Sequence, residues 1–359
     1  MSNRLPLTGP VVWTGDEIRN STRWIRNFPA SGTAALDNAL AAVNKAGLAW
    51  SQITRETFPL SGFDDLLADI RDELENGVGI LKLRGFPVDR YSEDDLRKLY
   101  FGLGTHLGTP VFQNRTGELM RAIRDEGAHV GRTYGQTRDQ SGTTFLSSYA
   151  RTLTSGGLRF HTDRTDVVGL LCVRQARKGG VSTLASTPAI HNAILARRPD
   201  LLDALFTDYW RSRFGEEGTG KDGAATTRAT AYPLPIFGVR DGKFTSHYSL
   251  TFIEAAQMAP DVPRLTPAQK EAIDVLMATA QELCFEMTLE PGDLQLINSH
   301  VTYHGRTPFE DDAASGHDRL LLRLWLTMPN NRPLPAGHEV LWQSIAAGQP
   351  RGGIRQVAI

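Results

Sequence analysis

From Val168 onward the chain breaks into short runs of aliphatic and β-branched residues fenced by glycine and proline, and no other feature constrains the fold as tightly. Such runs are the expected signature of a barrel or jelly roll, in which many short strands close on themselves. Two helical stretches interrupt the pattern. One is predicted from Ile190 to Phe206, after Pro188. The other spans Thr266 to Leu283, opening with a capping threonine and a proline at the first helical position. The first half reads differently. Ala34 to Ala46 has helical composition, and Phe63, Leu66, Leu67, Ile70 and Leu74 fall on one amphipathic helix face, with Ser61 as its expected cap and Gly77 as its stop. Gly79 to Leu83 reads as a strand. Ser92 to about Leu103 reads as a helix whose first turn carries carboxylates at the positive end of the dipole. Residues 1–30, rich in turn formers, are expected to wrap the surface. The pattern therefore predicts a mixed α/β protein with a β-rich second half. The polar, glycine-rich stretch 212–230 is expected to be a loop or lid rather than a linker, because strands on both sides are needed to close one sheet.

Composition limits the partners. A formal net charge of −1 gives no global field for nucleic acid or an anionic membrane. Nowhere do about 18 apolar residues run together, as a membrane helix requires. Met1 to Thr14 contains Pro6 and Pro10 and lacks a basic start followed by an apolar block, so no signal peptide is expected. Two cysteines, Cys172 and Cys284, cannot make a disulfide framework. Both sit in apolar runs and read as buried thiols in a reducing, cytoplasmic setting.

Chemistry concentrates in His161-Thr162-Asp163. On an extended segment, residues two apart point the same way, so an imidazole and a carboxylate share one side. One more histidine from a distant strand completes a 2-His-1-carboxylate face, which leaves coordination positions open and suits non-haem Fe(II). The distant histidine is His300 or His304. A helix would bring both onto one face, but Pro291-Gly292-Asp293 followed by Leu294 to Ile297 reads as a strand leaving a turn. Downstream, Arg319 and Arg323 flank three leucines on an apolar strand and share one face. Two guanidiniums aimed into an apolar interior are costly without anions to meet them. His106, His191, His317 and His338 read as surface or packing residues, whereas His129 and His247 lie in segments that can approach a pocket. Neither a phosphate-binding loop nor a dinucleotide fingerprint is present.

Several phrases together carry a resemblance: Leu158-Arg159-Phe160-His161-Thr162-Asp163, Gly179-Gly180-Val181-Ser182-Thr183, Pro291-Gly292-Asp293-Leu294, His304-Gly305-Arg306-Thr307 and the Arg319 to Trp325 strand. They resemble the taurine dioxygenase and 2,4-dichlorophenoxyacetate dioxygenase family, within the clavaminate synthase-like Fe(II)/2-oxoglutarate oxygenases. The resemblance covers roughly residues 75 to 330 and is most specific over 158–187 and 289–327. It implies a double-stranded β-helix (jelly-roll) core with flanking helices and a helical N-terminal region. The corresponding division is 1–75 as a wrapping, helical segment, 76–330 as the oxygenase domain, and 331–359 as an extension packed on it.

The same resemblance implies the site. His161, Asp163 and His304 would hold Fe(II), with His300 a nearby structural residue. Arg319 would clamp the distal carboxylate of 2-oxoglutarate, assisted by a hydroxyl for which Ser182 and Thr183 compete, Thr183 being preferred. Arg323 would meet an anionic small-molecule substrate, unless folding pairs it with an internal acid. The implied reaction uses 2-oxoglutarate and O₂ as co-substrates, yields succinate and CO₂, and hydroxylates, desaturates or cyclises a small organic acid or amino acid-like substrate. Selectivity is expected from 110–160, 212–250 and Arg323, and a homo-oligomer is expected. Two other classes compete: a cupin-like metal-dependent lyase or isomerase, separated by succinate production, and a non-catalytic small-molecule sensor, separated by O₂ consumption.

Overall fold

The strands that organise the molecule are β1 (Ile25–Asn27), β2 (Ile80–Arg84), β3 (Thr109–Pro110), β4 (Met120–Ile123), β5 (Leu158–His161), β6 (Val167–Arg174), β7 (Ser182–Ser186), β8 (Phe285–Met287), β9 (Leu294–Asn298), β10 (Thr302–Arg306) and β11 (Leu320–Thr327). The structure is a computed structural model and describes residues 4–139, 141–214 and 230–354. Most of the expected loop or lid at 212–230 lies outside the described residues. The larger sheet runs β1-β2-β9-β6-β11-β3, with β4 also paired to β11; the smaller runs β8-β7-β10-β5. Every pairing is antiparallel except β1 with β2. Facing each other, the two sheets form the jelly-roll core of the mixed α/β fold.

Side-chain alternation divides the molecule into layers. Along β11, Leu320, Leu322, Leu324 and Leu326 pack outward against the helices Gly32–Lys45, Asp64–Glu75 and Glu93–Leu107. Arg319, Leu321, Arg323 and Trp325 alternate with them and turn inward. Between the sheets, Ile80, Cys172, Ile297 and Leu321 meet Leu184, Phe285 and Met287. On the far side of the smaller sheet, Phe160, Ala185 and Tyr303 pack with the helices Thr187–Arg197 and Pro267–Leu283. Each fully buried Leu or Phe contributes about 1.5–3 kcal/mol of burial free energy.

Several local expectations need revision. The helix from Asp64 has Phe63 at its N-cap and no side-chain cap; Ser61 is set apart by Gly62, whose φ of 79° turns the chain. The helix expected over 190–206 starts earlier, capped by Ser186. It stops at Arg197, because Pro199 removes a donor and clashes with the preceding turn. Residues 1–30 do more than wrap, since β1 extends the larger sheet. Cys172 is buried, but Cys284 caps a helix and is only half-buried. Among the described residues, no helix is long and apolar enough to cross a membrane.

The C-terminal segment is fastened to the centre. Asp166 is fully buried and accepts from His300 Nε2 at 2.9 Å, Arg351 Nε at 2.7 Å, Thr327 Oγ1 at 3.0 Å, Asn331 Nδ2 at 2.8 Å and the Met328 amide at 2.9 Å. These donors hold its carboxyl far below the usual range despite burial. Trp342 packs tilted over His300, with ring centroids 4.7 Å apart.

Candidate active site

Register brings the histidines together. His161 on β5 is paired with His304 on β10, and the two rings lie 4.2 Å apart. Asp163 follows in the loop after β5. Its Oδ1 is 3.6 Å from His161 Nε2, and its Oδ2 is 3.8 Å from His304 Nε2. Among the described residues these three form the one group of histidine, cysteine or acidic side chains whose ligand atoms all lie within 4.8 Å of one another.

Their chemistry fits a divalent metal. His161 Nδ1 bonds the carbonyl of Arg159 at 2.9 Å, which fixes that nitrogen as the donor and turns the Nε2 lone pair toward Asp163. Burial and the neighbouring His161 pull His304 down to about 3, so its imidazole is neutral and able to ligate. Burial alone would raise Asp163, but His304, Arg323 and His161 outweigh it and keep the carboxylate ionised. Two imidazoles and one carboxylate, gathered on one side of a cavity, are the donor set that Fe(II) accepts. His300 stays outside this group, bonded to Asp166 and to Thr245 Oγ1.

A cavity between the sheets opens beside the three residues, lined by Ser182, Gln295, Arg306, Arg319 and Arg323 among others. Arg319 is buried, Nη1 has no hydrogen-bond partner among the described residues, and its guanidinium lies 5.0 Å over Phe309. Burial lowers it to about 10. Arg306, also inward, donates to the carbonyls of Thr154 and Gly156 and is lowered to about 9 by burial and by Arg319. Neither arginine forms a salt bridge with a described residue. The Gly179-Gly180 turn passes close: both glycines have left-handed φ, 75° and 68°, and a Cβ on Gly180 would come within 3.0 Å of Arg319 Nε.

Ser182, and not Thr183, lines the cavity beside Arg319. Ser182 is paired with Arg306 and shares its inward face, whereas Thr183 is paired with Gly305 and points to the opposite side of the sheet. A hydroxyl one residue away on a strand cannot reach the same cavity.

A second cavity adjoins the first at Asp163 and Arg323, and is lined by Gln113, Asn114, Tyr149, Arg164, His247 and Trp325 among others. Arg323 Nε donates to Gln113 Oε1 at 2.6 Å, and Nη1 lies 4.0 Å from Asp163 Oδ2. Arg323 thus faces the site and, among the described residues, makes no hydrogen bond to an acid. His247 bonds Thr162 Oγ1 at 3.0 Å through Nδ1, and its buried Nε2 has no partner among the described residues. Burial and nearby cations hold it neutral. His129 is exposed and lines neither cavity. Sequence reasoning missed Gln295, Arg306 and Trp325. The inward alternation of β9, β10 and β11 was the available signal, and it singles out all three.

Comparison with known proteins agrees. The family described as taurine catabolism dioxygenase TauD, TfdA family matches residues 43–325. FR-33289 synthase of Streptomyces rubellomurinus is 31% identical over 353 residues, covering 96% of this chain and 97% of that protein. Clavaminate synthase 2 of Streptomyces clavuligerus is 27% identical over 284 residues, covering 72% and 77%. Among solved structures, asparagine oxygenase in complex with Fe(II), 3-hydroxyasparagine and succinate aligns with a TM-score of 0.62 at 18% identity, covering 85% of this chain and 93% of that one. The non-haem iron oxygenase OrfP with Fe and α-ketoglutaric acid aligns with a TM-score of 0.58 at 16% identity, covering 84% and 94%.

Proposed function

Starting from the chain's membership of the TauD/TfdA family, whose activity it shares as a non-haem Fe(II)- and 2-oxoglutarate-dependent dioxygenase, we propose how its own residues divide the work. His161, Asp163 and His304 hold the iron. Bound iron supplies the O₂ activation that couples oxidative decarboxylation of 2-oxoglutarate to succinate and CO₂ with hydroxylation of a substrate C–H bond.

The observation that carries the co-substrate assignment is the pair Arg306 and Arg319, two buried cations facing one cavity with no carboxylate among the described residues bonded to either. A dicarboxylate satisfies this field. Arg319, with Nη1 unbonded, meets the distal carboxylate as a fork, and the Ser182 hydroxyl donates beside it. Arg306 is held by carbonyls and adds positive potential without moving.

The prime substrate enters the second cavity. Arg323, oriented by Gln113, gives it a counter-charge, so the substrate is a small or medium organic acid, desaturation or cyclisation remaining open to the same site. Amino acid-like acids are favoured because asparagine oxygenase and OrfP share the fold and are described with hydroxylated amino acids. Aromatic and aliphatic walls, among them Phe214, Tyr232, Phe252 and Leu341, exclude water from the reacting end. Free Cys172 and Cys284 suit a cytoplasmic setting, and a homo-oligomer is expected. The deciding experiment measures succinate from the Fe(II)-loaded protein with 2-oxoglutarate and O₂, with and without a panel of carboxylic and amino acids. Stimulation by acids but not by their amides or esters supports the Arg323 assignment, and indifference to the anionic group overturns it.

A further inference from the structure

Asp163 offers two oxygens, and only one receives a hydrogen bond. Oδ2 accepts the indole N–H of Trp325 at 2.9 Å; among the described residues Oδ1 has no hydrogen-bond donor. Trp325 is itself buried, on the inward face of β11 and packed with Val168 and Ile354. The Arg323 guanidinium covers its ring at 5.2 Å. The indole therefore has little freedom to turn.

We propose that Trp325 is a positioning residue for the metal centre: its N–H, bonded to Oδ2, locks the rotation of the Asp163 carboxylate and leaves Oδ1, 3.6 Å from His161 Nε2, as the oxygen free to ligate. This rests on the assignment of Asp163 as a ligand. A carboxylate free to spin about its last bond would lose entropy on binding metal and could close on it with both oxygens, using a position that co-substrate or O₂ needs. Indole suits the task because its nitrogen is a donor only, with no lone pair to compete for the metal. Trp325 also forms part of the substrate-side cavity, so the group that orients the ligand is one that a substrate touches.

The test uses the metal-free full-length protein titrated with Mn(II) and with Co(II), followed by calorimetry and by the visible spectrum of the Co(II) form. Trp325→Phe keeps an aromatic ring and removes the donor. It is expected to weaken binding of both ions by about 10- to 100-fold and to change the Co(II) spectrum, while the metal-free melting temperature moves little. If Trp325→Phe does not fold, benzothienylalanine at 325 replaces N–H with sulfur at nearly constant shape and is expected to give the same loss. Wild-type affinity in either variant overturns the inference. Asp163→Ala separates the two levels: if it too binds Co(II) normally, the ligand assignment itself fails, whereas loss in Asp163→Ala alone removes only the role of Trp325.

Discussion

Replacing Arg319 by Met should make the ligand-free protein more stable and the 2-oxoglutarate complex much weaker. Arg319 is 6% exposed, carries an unbonded Nη1 and has no salt bridge among the described residues. Burial lowers it from 12.5 to about 10, which corresponds to roughly 3 kcal/mol against the charged form. Methionine has similar reach, no charge and an adaptable shape. Removing the uncompensated charge should recover about 1–3 kcal/mol in the absence of ligand, a rise of a few degrees in melting temperature. The cost is present throughout the neutral range, because it fades only as pH rises above the folded-state value of about 10. Binding moves the other way. Truncating one partner of a buried, charge-assisted pair costs about 2–5 kcal/mol, or roughly 30- to several thousand-fold in affinity. Thermal melts of the metal-free variant and wild type give the first quantity; anaerobic titration of 2-oxoglutarate into the Mn(II)-loaded proteins gives the second. A variant that melts lower without ligand would refute the uncompensated charge, and an unchanged 2-oxoglutarate affinity would refute the clamp.

Ser182→Ala should raise the 2-oxoglutarate requirement several-fold, by about 0.5–1.5 kcal/mol for one hydrogen bond, while Thr183→Ala leaves it unchanged; steady-state succinate assays distinguish them. His304→Ala should abolish tight Mn(II) binding, whereas His300→Ala should retain it and lower the melting temperature by leaving Asp166 short of a donor. Arg323→Ala should weaken prime-substrate binding while leaving slow, substrate-independent turnover of 2-oxoglutarate, read as succinate formed without substrate. His300 and His338, both lowered to about 4 by burial, remain neutral in the folded protein as the unfolded chain protonates near 6.5. Their contribution is complete above pH 6.5 and is lost as pH falls toward 4, with a slope of about 2.4 kcal/mol per pH unit around pH 5; denaturant melts from pH 7 to 4 measure it.

The β-rich second half and the His161-Thr162-Asp163 motif were legible because both are local in sequence: strand-length runs, turn residues and a two-residue spacing; the double-stranded β-helix came from the family resemblance. The inward direction of Arg319 and Arg323 followed from period-two alternation once their strand was recognised, and the structure agrees. Ser182 and Thr183 could not be separated on that basis, because a one-residue uncertainty in register exchanges the two faces. The pairing of Ser182 with Arg306 shows which of the two shares the inward face. Helix ends failed where a rival signal was stronger, as at Pro199, or where a cap is a backbone event, as at Phe63. Gln113 was beyond reach for another reason. Its importance lies in its partner Arg323, 210 residues away, and no local pattern encodes that distance.

Asp166 stands three residues after the carboxylate assigned to the metal, yet a donor that completes it, Arg351, is 185 residues further along the chain. The loop bearing Asp163 therefore closes late: its neighbouring buried charge has no full complement until almost the whole described sequence is in place. Ordering such a contact pays a long loop-closure entropy first, which makes it a slow step in folding. Cleavage between Asn331 and Arg351 would accordingly reach the metal site from its far side, loosening a ligand loop without touching any of the three residues assigned to the metal.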